Sequence, residues 1–245
     1  LLFIQYVGSA LVYIAIRPLN EILAQAAMIC VLAPTATSAP VVSGILGGSI
    51  SATAAYSIMS NLSVAFIAPI YLSLIGHTGQ SVPFLTAFWY ILLKVMPTLI
   101  LPFFLALAIE KISPVAHKKI RSAQIVSFYV WAVALTIVIA SVTNFVTTQS
   151  DGNFRLEIII AVFSAIICLL QFFFGRKIGE RHNMTTAGGQ GMGQKNTILA
   201  IWLTQTYLNP IASLGPGMYV IWQNIVNSWQ IWQKQQNLDK DAHKK

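Results

Sequence analysis

GGQGMGQKNTILAIWLTQTYL, residues Gly188–Leu208, joins a glycine-rich, lysine-bearing stretch to a short apolar run. Whether this segment crosses a membrane or lies in a loop decides the fold. As helix, Ile198–Leu208 spans roughly 16 Å against a hydrocarbon core of about 30 Å. It crosses only if the polar residues before it, about Met184–Asn196, lie at membrane depth with it.

The surrounding chain reads as a polytopic membrane protein. It is 56% hydrophobic and 9% charged, with a mean hydropathy of +0.69. Apolar runs of roughly 20 residues, enough to span a bilayer, recur along it. They are continuous rather than alternating, which favours helices over a barrel. The expected crossings are Leu1–Ile16, Glu21–Leu46 (interrupted by PTATSAP, Pro34–Pro40), Ala52–Ile75 and Val82–Ile109 with Pro97 and Pro102. Ile125–Val146, Leu156–Phe174 and Tyr219–Trp232, extended back towards Ala212, follow.

Charge gives the orientation. The formal net charge is +8, but eleven basic residues fall in three segments between or after apolar runs: Glu110–Ala123, Arg176–Arg181 and the tail beyond Trp232. The intervening segments, near His77, Asp151 and Asn209, carry only Arg155. This is the positive-inside pattern rather than a nucleic-acid surface, and it puts the C-terminus in the cytoplasm. Arg176–Arg181 and the tail then share a side, so two crossings must separate them. One is Ala212–Trp232. The other must be Met184–Leu208, which puts Lys195 inside the bilayer.

Irregular polar backbone at that depth survives only when enclosed by protein or a watery cavity. Glu21–Leu46 has the same form, an apolar segment, a Pro/Thr/Ser break and a short apolar segment ending in Gly47-Gly48. Two broken crossings, each followed by a full one, point to an inverted-repeat transporter with its site at the breaks. Completing the first repeat would take roughly 70 more residues, about two crossings. A fragment of a larger protein is expected.

At these breaks the chain resembles the bile acid:sodium symporter family. The likeness rests on APTATSAPVVSGILGG (Ala33–Gly48), SATAAYSIMSNLSVAFIAPIYL (Ser51–Leu72) and GMGQKNTILAI (Gly191–Ile201). It implies an all-α, inverted-repeat fold with two broken, crossing helices, about eight of ten transmembrane helices being present. Residues 1–76 would supply core helices three to five, 82–147 panel helices six and seven, and 152–235 core helices eight to ten. A basic cytoplasmic tail, 236–245, would follow. Such proteins move organic anions, bile acids, pantoate or other carboxylates and sulfonates, usually with sodium.

This sequence departs from the family at the ion site. Aligned on Pro34 and Gly48, the family's Ser-Asn sodium ligands fall on Ala39 and Pro40, which offer no side-chain oxygen. The next two hydroxyl ligands fall on Thr53 and Ser57. The family's Glu-x-Gly-x-Gln-Asn reads Gly191-Met192-Gly193-Gln194-Lys195-Asn196 here. The ion-site remnants are thus Thr53, Ser57, Gly191, Gln194 and Lys195, without the carboxylate. An ammonium brings a positive charge and three donors, so Lys195 is expected to stand in for the cation, with sodium coupling weakened or lost. A proton is the other coupling ion to consider, and no cofactor is expected.

The substrate-binding residues expected at the breaks are Thr35, Thr37, Ser38, Lys195 and Asn196. Half-helix N-termini would offer N–H groups to an anion. Lys94, deep in its crossing, is a further candidate for substrate contact or for pairing with a carbonyl. Trp222, Trp229 and Trp232 read as belt or packing residues, and Asn209-Pro210 as a turn. Cys30 and Cys168 lie in apolar runs and imply neither a disulfide nor a metal site. His77, His117, His182 and His243 form no metal-spaced cluster. No nucleophile–base pair, phosphate loop or paired carboxylates appear, so enzymatic activity is not expected.

The function expected is secondary transport of a small organic anion by alternating access across a bacterial-type inner membrane. A proton-coupled antiporter of related fold and a non-transporting membrane sensor or binding protein are the alternatives. The partners expected are the anion and the bilayer, with no nucleic acid. Oligomeric state is left open.

Overall fold

The computed structural model describes residues 1–76, 83–123 and 154–242, with scattered positions between 126 and 147. It is all-helical, with no strand among the described residues. The crossing expected at Ile125–Val146 lies largely outside the described residues, as do His77 and His243. Three helices are long and apolar enough to cross a membrane: α4 (Ile50–Ile75), α5 (Phe84–Ile112) and α7 (Phe154–Glu180). The described chain divides into two compact units, Leu1–Ser60 with Asp151–Lys245, and Asn61–Ser150. The boundary falls inside α4, at Ser60. The first half of α4 is rich in Ser, Thr and Ala, whereas the second half carries Phe66, Ile67, Ile70 and Tyr71 around Pro69.

In the first unit, α1 (Leu2–Ile16) runs into α2 (Glu21–Leu32), whose start is capped by Asn20 accepting from Leu23 N at 2.9 Å. Every residue of α2 from Leu23 to Leu32 is buried. A helix apolar all round needs such a jacket, and α1, α7 and α10 (Leu214–Ala242) provide it. Ala27, Cys30 and Val31 pack with Ile167, Cys168, Phe172 and Tyr219 at its centre.

The outer helices are inside-out by soluble standards. On α1, Gln5, Ser9 and Tyr13 are buried while Phe3 and Ile14 are 77% and 66% exposed. On α10, Gln223, Asn227 and Gln230 are buried while Ile225, Trp229 and Trp232 face outward. Polar side chains turned in and apolar ones turned out suit a surface bathed in lipid.

The two breaks are shorter than the sequence suggests. In the first, α2 ends at Leu32 and α3 (Ala39–Ile45) already contains Pro40 in its first turn, where proline has no intrahelical donor to lose. In the second, α8 (Thr185–Gly193) is helical despite its glycines, so the break is only Gln194–Asn196 before α9 (Thr197–Tyr207). Glycine is a poor helix former, but here it permits contact. A Cβ on Gly188 would strike Gly175 O, and one on Gly175 would strike Gly188 O. Small residues let α7 and α8 approach backbone to backbone. A 3₁₀ turn (Pro210–Ser213) leads into α10, with Asn209 accepting from Ile211 N at 3.0 Å. The tail expected from residue 236 continues α10 as helix to Ala242, with Gln235 donating to Asp239 at 3.0 Å.

In the second unit, α5 contains Pro97 and Pro102, and α6 (Pro114–Ser122) is a short basic helix capped by Ser113. Lys94 is exposed, its ammonium 4.5 Å from the centre of the Tyr90 ring.

Candidate functional site: two broken helices joined at Lys195

The two breaks meet. Thr35 and Lys195 form an isolated antiparallel bridge. Asn196 N donates to Pro34 O at 2.7 Å, and Ala36 N donates to Gln194 O at 2.9 Å. Two carbonyl-terminated helix ends, those of α2 and α8, therefore arrive at one place, together with the starts of α3 and α9.

A helix end buried from water must find partners for its last carbonyls. At the end of α2 these are the carbonyls of residues 30 to 33, since Ala33 N already serves Ile29 O. Side chains from three other segments serve all of them. Gln171 Nε2 donates to Cys30 O at 3.2 Å, and Lys195 Nζ to Val31 O at 3.0 Å. Gln5 Nε2 donates to both Leu32 O and Ala33 O at 2.9 Å. Tyr56 OH, donating to Gln5 Oε1 at 3.3 Å, holds that amide in the orientation that points its NH2 at the carbonyls.

The end of α8 is served in the same way. Thr35 Oγ1 donates to Gly191 O at 2.6 Å, and Tyr219 OH to Gly193 O at 2.8 Å. Tyr219 in turn accepts from Gln171 Nε2 at 3.0 Å, so one glutamine links the two helix ends. α10 presents a polar face to this backbone at intervals of three and four residues. Tyr219 serves Gly193, Gln223 Oε1 accepts from Lys195 N at 2.9 Å, and Asn227 and Gln230 both accept from Gln190 Nε2. Farther along, Lys234 Nζ donates to Ile45 O, at the end of α3.

Lys195 is only 1% exposed, and its ammonium sits at the negative end of α2, while its backbone follows the end of α8. That is the favourable end of the helix dipole for a cation. Among the described residues no carboxylate pairs with it. The chain's acidic residues fall at positions 21, 110, 151, 157, 180, 239 and 241, far from this break in sequence.

Of the residues expected to bind substrate, Thr35 is buried and bonded to Gly191 O. Ser38 accepts from Gln194 Nε2 at 2.8 Å, and Asn196 caps α9 by accepting from Leu199 N at 3.2 Å. Both are half-buried, while Thr37 is exposed. Of the residues expected as ion-site remnants, Ser57 reaches Thr35 O at 3.5 Å and stands at the break. Thr53 lies about one turn away along α4, bonded to Ser43 Oγ and Ser49 O at 2.9 Å. A Cβ on Gly191 would lie 2.8 Å from Tyr56 Cδ1, so the ring fills the space a side chain at 191 would need. Ala39 is fully buried at the start of α3.

A cavity of about 290 Å³ opens beside this site, lined mainly by apolar groups of Ala52, Tyr56, Ile178, His182, Met184 and Ala187. No group of three or more potential metal-ligating His, Cys, Asp or Glu residues occurs among the described residues.

Sequence reasoning missed Gln5, Gln171, Gln190, Tyr219, Gln223, Asn227 and Gln230. Their signal was available as amides and a phenol inside apolar helices, recurring on α10 every three or four residues. No family model matches the chain, and no curated protein matches it.

Proposed function

We propose that this chain is a secondary transporter of a small or amphipathic organic anion, on the inverted-repeat plan of the bile acid:sodium symporters. In it the Lys195 ammonium takes the place of bound sodium. One observation carries the reading: Lys195 Nζ lies 3.0 Å from Val31 O, at the end of one broken helix, and its backbone follows the end of the other. A cation there offsets the negative end of α2. A tethered one does so without dissociating. The Tyr56 ring against Gly191 supports the same reading, because the family's carboxylate has no room there.

The substrate's anionic group would be met by Ser38 and Asn196 beside the starts of α3 and α9, with Thr37 at the exposed edge. The apolar cavity beside Tyr56 would take the apolar part of an amphipathic anion. Transport is by alternating access at the breaks, across an inner membrane with the C-terminus in the cytoplasm.

The test is thermal unfolding of the purified protein in sodium chloride and in choline chloride at equal ionic strength. Ligands that bind the folded state raise its stability. The expected result is no sodium-specific shift. A saturable sodium shift overturns the substitution by Lys195. Uptake of a bile acid and of pantoate into proteoliposomes, without a sodium gradient, tests transport itself. No uptake of either, or of other carboxylates and sulfonates, removes that half of the reading.

A further inference from the structure

The hydrogen-bond account at the breaks does not close within the protein. Lys195 Nζ carries three N–H groups, and among the described residues Val31 O is its one acceptor. The side-chain oxygens of Gln171, Gln190 and Gln194 have no donor among the described residues, although these residues are only 4%, 0% and 5% exposed. Turning an amide over does not help, since it exchanges an unserved oxygen for an unserved NH2. Buried polar groups in this condition are ordinarily served by internal water.

One of these oxygens, that of Gln190, belongs to a row of buried amides. Gln190 is joined to Asn227 at 3.0 Å and to Gln230 at 3.2 Å. Gln223, one turn before Asn227 on the same face, is joined to the backbone of Lys195. Lys234, one turn beyond Gln230, lies on an exposed stretch of α10. The opposite face bears Ile225, Trp229 and Trp232, outward and apolar. A row of amides therefore leads from the backbone of Lys195 to the exposed end of the helix.

We propose that Gln190, Gln223, Asn227 and Gln230 line a water-filled path connecting Lys195 to the aqueous phase at the Lys234 end of α10. This goes beyond the transport reading and does not depend on it. The path supplies water to the unserved oxygen of Gln190 and, where it meets Lys195, to the spare ammonium protons, and lets Lys195 exchange protons with solvent while the surrounding helices stay packed.

The experiment is thiol labelling in native membranes with 2-aminoethyl methanethiosulfonate, which reacts with a thiolate and so needs water around the cysteine. The parent's Cys30 and Cys168 are buried and set the background. Single variants Asn227→Cys and Gln230→Cys are expected to react about tenfold or more faster than Ile225→Cys and Trp229→Cys. Equal, background-level rates at all four positions overturn the path.

Because a cysteine on the amide row could disturb folding, a second measurement places the label elsewhere. Lys195→Cys is expected to react, and adding Gln230→Leu or Asn227→Leu is expected to slow it about tenfold. An unchanged rate means that water reaches Lys195 by another route, and the proposal fails. Neither result bears on the sodium comparison, so the two readings fail separately.

Discussion

Gln5→Leu is expected to destabilise the protein more than Lys195→Met, although only the second removes a charge. Gln5 Nε2 serves both Leu32 O and Ala33 O at 2.9 Å and is fully buried. Leucine fills a similar volume but leaves two carbonyls of an enclosed helix end without a donor. Each unserved group costs about 1–3 kcal/mol. The apolar replacement recovers about 1–2 kcal/mol through burial, so the net loss centres on about 2.5 kcal/mol.

Lys195→Met forfeits one charge-assisted bond, worth about 1.5–3 kcal/mol, and a helix-end interaction of about 0.3–2 kcal/mol. It also relieves the desolvation of a buried ammonium, several kcal/mol in the opposite sense. These nearly cancel, and the net change is expected to lie within about 1 kcal/mol of zero. At about 2–4 °C per kcal/mol, thermal unfolding in detergent should show Gln5→Leu lowered by about 5–10 °C. Lys195→Met should move by less than about 4 °C either way. The reverse order would refute the reasoning. It would mean that the ammonium contributes more as a cap than its burial costs.

Three further substitutions test the packing and the caps. Gly188→Ala forces a methyl onto Gly175 O and the backbone of Gly179, and is expected to cost about 2–3 kcal/mol in unfolding measurements. Gly8→Ala meets only Val31 Cγ1 at 3.9 Å, and is expected to be neutral or stabilising by up to about 1 kcal/mol. Tyr219→Phe removes the donor to Gly193 O and the acceptor for Gln171. It should lower stability by about 1–3 kcal/mol, while Trp229→Phe, on the outer face, serves as the unaffected control.

The first break was legible because Pro34, Pro40 and the hydroxyls between them cannot continue an apolar helix. Only the role of Pro40 was misjudged, since a proline can open a helix as well as interrupt one. The second break was legible only as the polar stretch Met184–Asn196, and it lies at Gln194–Asn196. Glycine propensity describes an isolated helix. In α8 the missing side chains are what allow α7 to lie against it, and that contact is invisible in the segment itself. Lys195 stood out because an ammonium among apolar residues is rare. Gln5, Gln171 and the amides of α10 did not, because a single amide barely changes the hydropathy of its helix. Their partners are carbonyls of α2, which become known only when the helix ends meet.

Replacing a bound ion by a tethered one has an energetic consequence. Bound sodium carries the free energy of its gradient into a transport cycle, whereas a tethered ammonium starts and ends every cycle in the same protein. On the proposed reading, therefore, a monovalent anion moves with no sodium to offset its charge. Its equilibrium distribution then responds to membrane voltage by about 2.3 kcal/mol per 100 mV. In proteoliposomes holding a fixed potassium-diffusion potential of about 100 mV, positive inside, a transported monovalent anion should accumulate roughly fifty-fold at equilibrium. An inside-negative potential should exclude it to the same degree. This result does not depend on how Lys195 moves during the cycle, because at equilibrium only the net charge carried across counts. Accumulation independent of voltage would show that a cation accompanies the anion. If that insensitivity persists with sodium absent from both sides and with the voltage set by an ion other than potassium, the cation is a proton, and its loss in Lys195→Met would make Lys195 the carrier rather than the fixed charge.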